Sequence, residues 1–381
     1  YDYMETFSEG MALVYKDCQW GFIDKTGKLV VGLQYDSANS FHNGYASVAK
    51  YENEEMKVGF IDKTGKVVVP VIYDTVFDFS EGLAAVVKEG KLGFVDTAGN
   101  VVVPFEYDYG AYEEYYFSGG LAVVTTGDYL SPRYLAVDKT GKKAFDINYD
   151  YARTSGFSEG MLAVGSGGKW DYDYGFAYFR YYDGGKYGFI DATGKEIVPL
   201  IYDYVGDFHD GIAVVGKDGK FGAIDKKGNV VVPLIYSNAG DGSNGLLCVE
   251  NENGKCGYVD YKGNVVIDFK FDYLIDFKDG YAINSIDWEW GAVDTAGRTV
   301  IPFEHYYIYE ISEGLFAYED SESGCLGYMD ANGKVVIDPV YYDAQPFSGG
   351  VALVFKEQYG IISRPSISYK AVPTASTVLV N

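Results

Sequence analysis

One short sequence pattern recurs along the whole chain, and this repetition restricts the possible folds more than any other feature. "GFIDKTGKLVV" at 21–31 is followed by "GFIDKTGKVVV" at 59–69. Further copies begin at Gly93, Leu135, Gly188, Gly222, Gly257, Gly291 and Gly327, and a short last copy, "YGIIS", begins at Tyr359. Self-similarity of this kind is the signature of a repeat architecture. A catalytic site is rarely made ten times over, so the pattern indicates a structural part.

A second motif, of the form "FSEGLAAV", precedes each copy and fixes the number of units. Its glycines are Gly10, Gly44, Gly82, Gly120, Gly160, Gly211, Gly245, Gly280, Gly314 and Gly350. The spacing is 34 residues from Gly10 to Gly44 and 51 from Gly160 to Gly211. We therefore predict ten tandem units over residues 1–363, the last one truncated, and a linker with the start of a further domain over 364–381.

Each unit predicts about three antiparallel strands. In the third unit, "LAAVVK" (83–88), "LGFVD" (92–96) and "VVVPFEYD" (101–108) are short apolar runs separated by turn residues, which is typical of strands. Asp96 and Gly99 have the spacing of a tight hairpin turn. Because these runs do not alternate apolar with polar residues, both faces should be covered, and in an array the neighbouring unit provides the cover.

A glycine lies inside the second strand of most units, directly after a large residue. Glycine within a strand marks a bulge or a close approach of two backbones. We expect the large residue to act as a wedge on the next unit. These wedge residues are Trp20, Leu92, Tyr187, Phe221, Trp290 and Leu326.

The complete pattern resembles the WG repeat, a bacterial tandem β-repeat that reads approximately "WGFID-x-x-GK-x-V-x-P-x-x-YD", then "F-x-EGLA-x-V". Only Trp20-Gly21 and Trp290-Gly291 keep the literal Trp-Gly pair, and other apolar residues replace Trp elsewhere. The resemblance implies a non-enzymatic scaffold in an extracellular or cell-wall-associated bacterial protein, and it supplies no catalytic residues. The tail "AVPTASTVLVN" (371–381) is similar to the lead-in of copper amine oxidase-like N-terminal domains, which indicates that the chain is cut from a longer protein.

Two arrangements of all-β units are compatible with the repeats: an open superhelical, solenoid-like array and a closed ring resembling a β-propeller. The last unit has no copy of the "VVVP" strand, and ten units exceed the usual number of propeller blades. These points favour the open array. The segment "SISYK" (366–370) would supply the missing strand in the ring.

The composition of the chain limits the classes of partner that it can bind. Lys and Arg total 31 against 55 Asp and Glu, a net charge of −24, which disfavours nucleic acid because phosphate would be repelled. No run of eighteen apolar residues is present, so we expect no membrane insertion. Four cysteines do not form a disulfide framework, although Cys248 and Cys256 flank one turn and could pair or remain buried thiols. We expect no metal and no cofactor.

Residues for catalysis are not evident. His42 and His209 replace the serine of "FSEG", and His305 replaces the tyrosine of "YD", so all three are substitutions at repeat positions. Most aspartates occupy turns, where backbone N–H groups keep a carboxylate ionised and unsuited to donate a proton. We therefore expect no enzyme, and glycoside hydrolysis by a carboxylate pair is a remote alternative.

The longest spacing contains an insertion, "GSGGKWDYDYGFAYFRYYDGGKYG" (165–188). Insertions in one repeat often carry binding, and exposed Tyr and Trp bind sugars or anchor protein interfaces. The candidate binding residues are Trp170, Tyr172, Tyr174, Tyr178, Tyr181 and Tyr182. The alternative is an extra hairpin whose aromatic side chains pack on the array. A lesser candidate is "YGAYEEYYFSGG" (109–120). We expect a scaffold that binds a protein or glycan, possibly basic, with a purely structural stalk as the alternative.

Overall fold

The protein is all β. The structure, a computed structural model, describes residues 1–110, 113–128, 131–172 and 180–365. The strands of units 1 to 3 are β1 (Tyr3–Met4), β2 (Met11–Lys16), β3 (Gln19–Asp24), β4 (Leu29–Tyr35), β5 (Ser37–Ala38), β6 (Tyr45–Glu52), β7 (Glu55–Asp62), β8 (Val67–Tyr73), β9 (Thr75–Val76), β10 (Leu83–Lys88), β11 (Lys91–Asp96) and β12 (Val101–Asp108). Those of units 4 to 6 are β13 (Leu121–Asp128), β14 (Ser131–Asp138), β15 (Lys143–Ile147), β16 (Tyr151–Ala152), β17 (Met161–Ser166), β18 (Lys169–Tyr172), β19 (Arg180–Asp183), β20 (Lys186–Asp191), β21 (Glu196–Tyr202), β22 (Tyr204–Val205), β23 (Ile212–Lys217), β24 (Lys220–Asp225) and β25 (Val230–Tyr236). Those of units 7 to 10 are β26 (Asn238–Ala239), β27 (Leu246–Glu250), β28 (Cys256–Asp260), β29 (Val265–Phe271), β30 (Tyr281–Ile286), β31 (Glu289–Asp294), β32 (Thr299–His305), β33 (Tyr307–Ser312), β34 (Leu315–Glu319), β35 (Leu326–Asp330), β36 (Val335–Tyr341), β37 (Asp343–Ala344), β38 (Val351–Phe355) and β39 (Tyr359–Ser363).

Most units form a small antiparallel sheet with its strands in chain order, such as β1-β2-β3-β4 or β22-β23-β24-β25, while units 3 and 4 share one seven-stranded sheet that runs from β9 to β15. The three long strands are those predicted, and in most units a two-residue strand precedes them. In the described residues no sheet closes on itself as a barrel. The all-β tandem-repeat fold is therefore confirmed.

The strand glycine is required by a close approach within the unit. Opposite Gly93 the pairing of β11 with β12 shifts register, between Leu92 and Phe94 and again between Phe94 and Val95. A Cβ atom added at Gly93 would lie 2.7 Å from the Val103 carbonyl oxygen. The expected bulge and close backbone approach are both present.

The hairpin aspartate holds the following turn with its carboxylate. Asp96 Oδ1 accepts hydrogen bonds from the backbone N–H groups of Ala98 and Asn100, each at 2.9 Å. Gly99 has φ +79° and donates its N–H to the Asp96 carbonyl at 3.0 Å. The hydrogen bonds from Asn100, side chain first, hold the pKa of Asp96 below its usual value. This carboxylate remains ionised, as its turn role predicts.

The hydrophobic core is divided among the junctions between consecutive units. At the junction of units 3 and 4, Leu92 and Phe94 pack with Phe117 and Val124 in one buried cluster. The wedge residue Leu92 is fully buried there. Equivalent clusters join units 1 and 2, where Trp20 packs at the edge, and units 9 and 10, where Leu326 is buried. The predicted wedges therefore lie between units.

Polar side chains also stabilise these junctions, and in each case the side chains of one unit bind the backbone of the unit that follows it. Ser80 donates its hydroxyl hydrogen to the carbonyl of Phe117 in unit 4 at 2.6 Å. Glu81 accepts the N–H groups of Gly119 and Gly120 at 2.8 and 3.0 Å and pairs with Lys139 at 3.1 Å. The Ser and Glu of the literal "FSEG" copies in units 1 and 5 make the same contacts, so this pair is a clasp on the following unit.

The two ends of the array are in contact. Leu353 of unit 10 is buried in one cluster with Met4, Phe7 and other residues of unit 1. Lys25 donates to the carbonyl oxygen of Gly349 at 2.7 Å, in the position where Lys139 meets unit 3. Unit 10 therefore packs on unit 1 as other units pack on their successors. A closed ring, the alternative to the open array in the sequence analysis, would have a contact of this kind.

Two sequence expectations concern the last residues. The segment 366–381, including "SISYK" and the tail that is similar to the copper amine oxidase-like lead-in, lies outside the described residues. The predicted division at 363 and 364 stays a prediction. In the described part of the chain, no helix is long and apolar enough to cross a membrane.

Candidate binding site

A groove lies between the short first strands of consecutive units, and it differs from junction to junction. Between units 2 and 3 it is a cavity of about 210 Å³ lined by small residues such as Ser37, Ala38 and Thr75. Between units 5 and 6 it is a cavity of about 600 Å³. Tyr151 holds the position of Ser37 in its unit, since each pairs with the same place on the next strand. We call the larger cavity the 5/6 groove.

The insertion of unit 5 supplies one wall of the 5/6 groove. β17 pairs directly with β20, and the hairpin of β18 and β19 stands between them as a separate two-stranded sheet. Trp170 on β18 faces Tyr182 on β19 in this register. The hairpin was predicted as one alternative for the insertion.

Aromatic side chains form the groove wall by packing on each other. Tyr151 and Tyr182 stack with their ring centres 5.6 Å apart at 23°, and Trp170 lies 5.5 Å from Tyr182. Tyr187 meets Tyr151 edge-on at 5.6 Å. Tyr204, from unit 6, lines the opposite side. The wall therefore offers ring surface from both units.

Hydrogen bonds hold these rings in place. Trp170 Nε1 donates to the Asp150 carbonyl at 3.0 Å. Tyr182 accepts the N–H of Gly168 at 2.7 Å. Tyr187 donates its hydroxyl to the Tyr182 carbonyl at 3.1 Å, and burial raises its pKa to about 12. The wall is preorganised, because Trp170, Tyr182 and Tyr187 each have both a neighbouring ring and a polar anchor.

Charged groups complete the lining. Arg153 pairs with Asp207 at 2.5 Å and donates to the Val205 carbonyl at 3.0 Å, so its charge is compensated within the groove. Glu113 and Glu114 enter from unit 4, and Asp203 from the start of unit 6. Four carboxylates and one guanidinium therefore line the groove, which gives it an acidic character.

Some of these carboxylates already have partners within the chain. Asp203 pairs with Lys186 and accepts the Asp218 N–H at 2.8 Å. Glu113 accepts the Tyr115 hydroxyl at 2.7 Å. Glu114 is exposed to solvent. It is therefore the carboxylate best placed to meet a ligand.

The sequence-predicted site residues are only partly described. Trp170 and Tyr182 both line the groove. Tyr172 and Tyr181 lie on β18 and β19. Tyr174 and Tyr178 lie outside the described residues. The predicted aromatic site therefore stays a prediction, now attached to a defined groove.

Several groove residues were missed by sequence reasoning. Tyr151 and Tyr204 each follow a "YD" pair, at a position to which the repeat pattern assigns no particular residue. Arg153 does not belong to the repeat pattern, so nothing in the sequence singled it out. Glu113 and Glu114 belong to 109–120, the lesser candidate of the sequence, and no local pattern predicts that this segment lies beside the insertion.

The remaining reactive residues are dispersed. His42 lies 3.1 Å from Asp78 and His209 lies 3.6 Å from Asp210, while burial lowers the pKa of His305 at a third junction. Cys248 and Cys256 are both buried free thiols. Within the described ranges, no group of three or more His, Cys, Asp or Glu is arranged to hold a metal ion.

Fold and groove together define a tandem β-repeat scaffold. The family model described as "WG containing repeat" matches residues 1–17, 20–53, 59–91, 93–129, 136–170, 187–221, 221–256, 257–287, 290–320 and 327–359. The chain belongs to the WG-repeat family, as its sequence pattern predicted.

Solved structures resemble the chain in fold. The crystal structure titled as that of the eukaryotic initiation factor matches with a TM-score of 0.52 and 12% identity, over 94% of this chain and 99% of that chain. Hsv2 of Kluyveromyces lactis matches with a TM-score of 0.34 and 10% identity, over 76% and 98%. The tricorn protease matches with 0.29 and 12%, over 91% and 46%. The first likeness shows the fold alone. A search of curated proteins found no match.

Proposed function

We propose that this chain is a non-catalytic scaffold that binds a protein segment rich in Lys or Arg, and that the 5/6 groove is its binding site. The observation that carries the proposal is the contrast between equivalent grooves. The groove of units 2 and 3 is lined by small, aliphatic and polar residues with no aromatic residue among them, whereas the 5/6 groove is larger and its lining includes one Trp and four Tyr. Packing of the repeat does not need these aromatic residues, because another unit pair packs without them.

The lining suits a cation. An ammonium or guanidinium group is attracted to the face of Trp or Tyr, and carboxylates at the rim add to that attraction. The net charge of −24 would also raise the local concentration of basic partners. The same charge supports the expectation that the chain does not bind nucleic acid.

A glycan is the second candidate, because Trp170 and the tyrosines of the groove can also stack on sugar rings. The stalk alternative has less support. A stalk separates its two ends, whereas here Met4 and Leu353 pack in one cluster. We place the protein at the bacterial surface, in line with the family resemblance, and cell fractionation tests this location.

The test uses the complete chain and capped hexalysine, titrated by calorimetry at low salt, beside a panel of neutral oligosaccharides. Glu114→Gln removes one exposed charge from the groove, and we expect roughly two- to fivefold weaker binding of hexalysine. The matched control is Glu106→Gln, an exposed glutamate on β12 away from the groove. Equal affinities of the two variants would count against the groove. Oligosaccharide binding without hexalysine binding would favour the glycan, and turnover of any glycan would refute a non-catalytic role.

A further inference from the structure

A second aromatic surface occupies the corresponding place between units 8 and 9. Tyr273 follows Asp272 as Tyr151 follows Asp150, and Trp290 precedes the strand glycine of its unit. Tyr307 begins the first strand of unit 9. We call Tyr273, Trp288, Trp290, Tyr307 and Tyr309 the 8/9 platform. It contains no residue of the unit 5 insertion.

The rings of the platform are packed in series. Tyr273 and Trp290 are nearly parallel at 15° with centres 5.4 Å apart. Trp290 lies 4.6 Å from Tyr307, which lies 4.6 Å from Tyr309. Trp288 meets Tyr273 edge-on at 6.3 Å. The series forms a continuous aromatic surface across the junction.

The exposure and the backbone conformation of Trp288 indicate a binding role. It is 77% exposed, although Trp is a residue that normally buries most of its surface. It also has φ +73° in a two-residue turn, where the left-handed conformation favours glycine. Units 3 and 6 have Gly90 and Gly219 at this turn position, with φ +75° and +72°. An exposed Trp held in an unfavourable backbone conformation costs stability twice, so packing does not explain it.

Carboxylates surround the platform. Asp287, next to Trp288, has a side chain that is 88% exposed and lies 3.7 Å from Lys255. Glu289 is exposed beside it on the other side. Glu319 accepts the Tyr309 hydroxyl at 2.9 Å. An aromatic surface with an acidic border has the chemistry that receives Lys or Arg side chains.

We propose that the 8/9 platform is a second binding site of this chain, and that it takes a Lys- or Arg-bearing protein segment on the exposed face of Trp288. The site shares no residue with the 5/6 groove. Binding at the platform can therefore be tested independently of the function proposed for that groove. If both sites bind, one molecule holds two basic segments, or two parts of one, and gains avidity from their linkage.

The decisive variant is Trp288→Gly in the complete chain. Glycine suits the turn, so we expect the melting temperature to stay the same or rise. We expect hexalysine binding at this site to weaken roughly 2- to 30-fold, the range of a cation–π contact. The matched control is Glu54→Gly, which places glycine at the same turn position of unit 2, where φ is +69°. This control has the same backbone effect and should leave binding unchanged.

Calorimetry distinguishes the two sites by stoichiometry. With both sites active, we expect two equivalents of hexalysine, of which Trp288→Gly weakens one and Glu114→Gln the other. If Glu114→Gln weakens binding of one equivalent while Trp288→Gly binds hexalysine as the wild type does, the 8/9 platform is not a binding site. The proposal for the 5/6 groove would then remain. A response of Trp288→Gly to a neutral oligosaccharide and not to hexalysine would overturn the cationic ligand.

Discussion

The junction between units 10 and 1 lacks one part of the clasp by which units 1, 3 and 5 hold the units that follow them. Where unit 3 has Glu81, unit 10 has Gly349 in the sequence "FSGG". Lys25 is present on the other side and donates to the carbonyl oxygen of Gly349 instead of to a carboxylate. Gly349→Glu would therefore restore the missing group, and the flexible end of the Lys25 side chain, which lies against the place of the new Cβ atom, would have to shift to pair with it.

The backbone at this position accepts a glutamate. Gly349 has φ +59°, and Glu9, Glu81 and Glu313 hold φ +50° to +51° at the same place in their units. The new carboxylate would accept the N–H of Gly10, as Glu9 accepts that of Gly44 at 2.9 Å. A net hydrogen bond contributes about 1 kcal/mol and an exposed ion pair about 0.2–1 kcal/mol, against about 1 kcal/mol for the left-handed residue. These contributions sum to an expected net gain of about 0.2–1 kcal/mol.

The assay is urea unfolding followed by tryptophan fluorescence, with a matched control. Gly119→Glu makes the same change in unit 4, where φ is +60°. The lysine position opposite it, in unit 5, is occupied by Ala192. The difference between the two variants therefore isolates the ion pair, and we expect it to be about 0.2–1 kcal/mol and to vanish in high salt.

This experiment tests whether units 1 and 10 are in contact in solution. If Gly349→Glu is no more stable than Gly119→Glu, and Lys25→Ala changes neither, then Lys25 does not face unit 10. Units 1 and 10 would then be separate in solution, and the chain would be an open array.

Three further outcomes follow from contacts described above. Gly93→Ala places a methyl group 2.7 Å from the Val103 carbonyl oxygen and should cost about 1–3 kcal/mol by urea unfolding, so a loss under 0.5 kcal/mol would contradict the close approach. Turn carboxylates such as Asp96 have pKa values lowered by hydrogen bonds in the folded state, so their stabilising effect is complete above the unfolded value of 3.8 and is lost as pH falls through the folded value. A melting temperature that does not fall between pH 5 and pH 3 would refute this. Exposed Cys18 should react with a thiol reagent in the native protein while buried Cys248 reacts only on unfolding, and equal rates would argue against the burial.

The repeat unit could be read from the sequence because its determinants are local. Asp96 and Gly99 fix a turn within four residues, and Gly93 marks a bulge that any second strand of this kind needs. Each signal also occurs many times, so chance matches are averaged out. The strands, turns and wedges followed from these residues alone.

The binding surfaces were harder to predict, because they depend on which units are neighbours and which side chains converge. Glu114 and Trp170 line one groove although they belong to different units. Trp288 did leave a signal, since a Trp stands at a turn position where units 3 and 6 have glycine. That signal appears only when the turns are aligned and their backbone conformation is known. The contact between Lys25 and Gly349 left no local signal, because it depends on the sum of all the rotations between units.

Every junction is made by one face of a unit on a different face of the next, and the series returns to its first member. This is the head-to-tail contact of a cyclic oligomer, here made within one polypeptide. Where the chain is cut then matters little, provided that the cut falls in an exposed hairpin turn. A circular permutant that joins unit 10 to unit 1 and begins in the exposed turn between β10 and β11 should keep the junction of Met4 with Leu353 and all the others. Adding or removing one unit would leave the structure of the other units unchanged. The angle between neighbouring units would have to change at each junction for the two ends to meet.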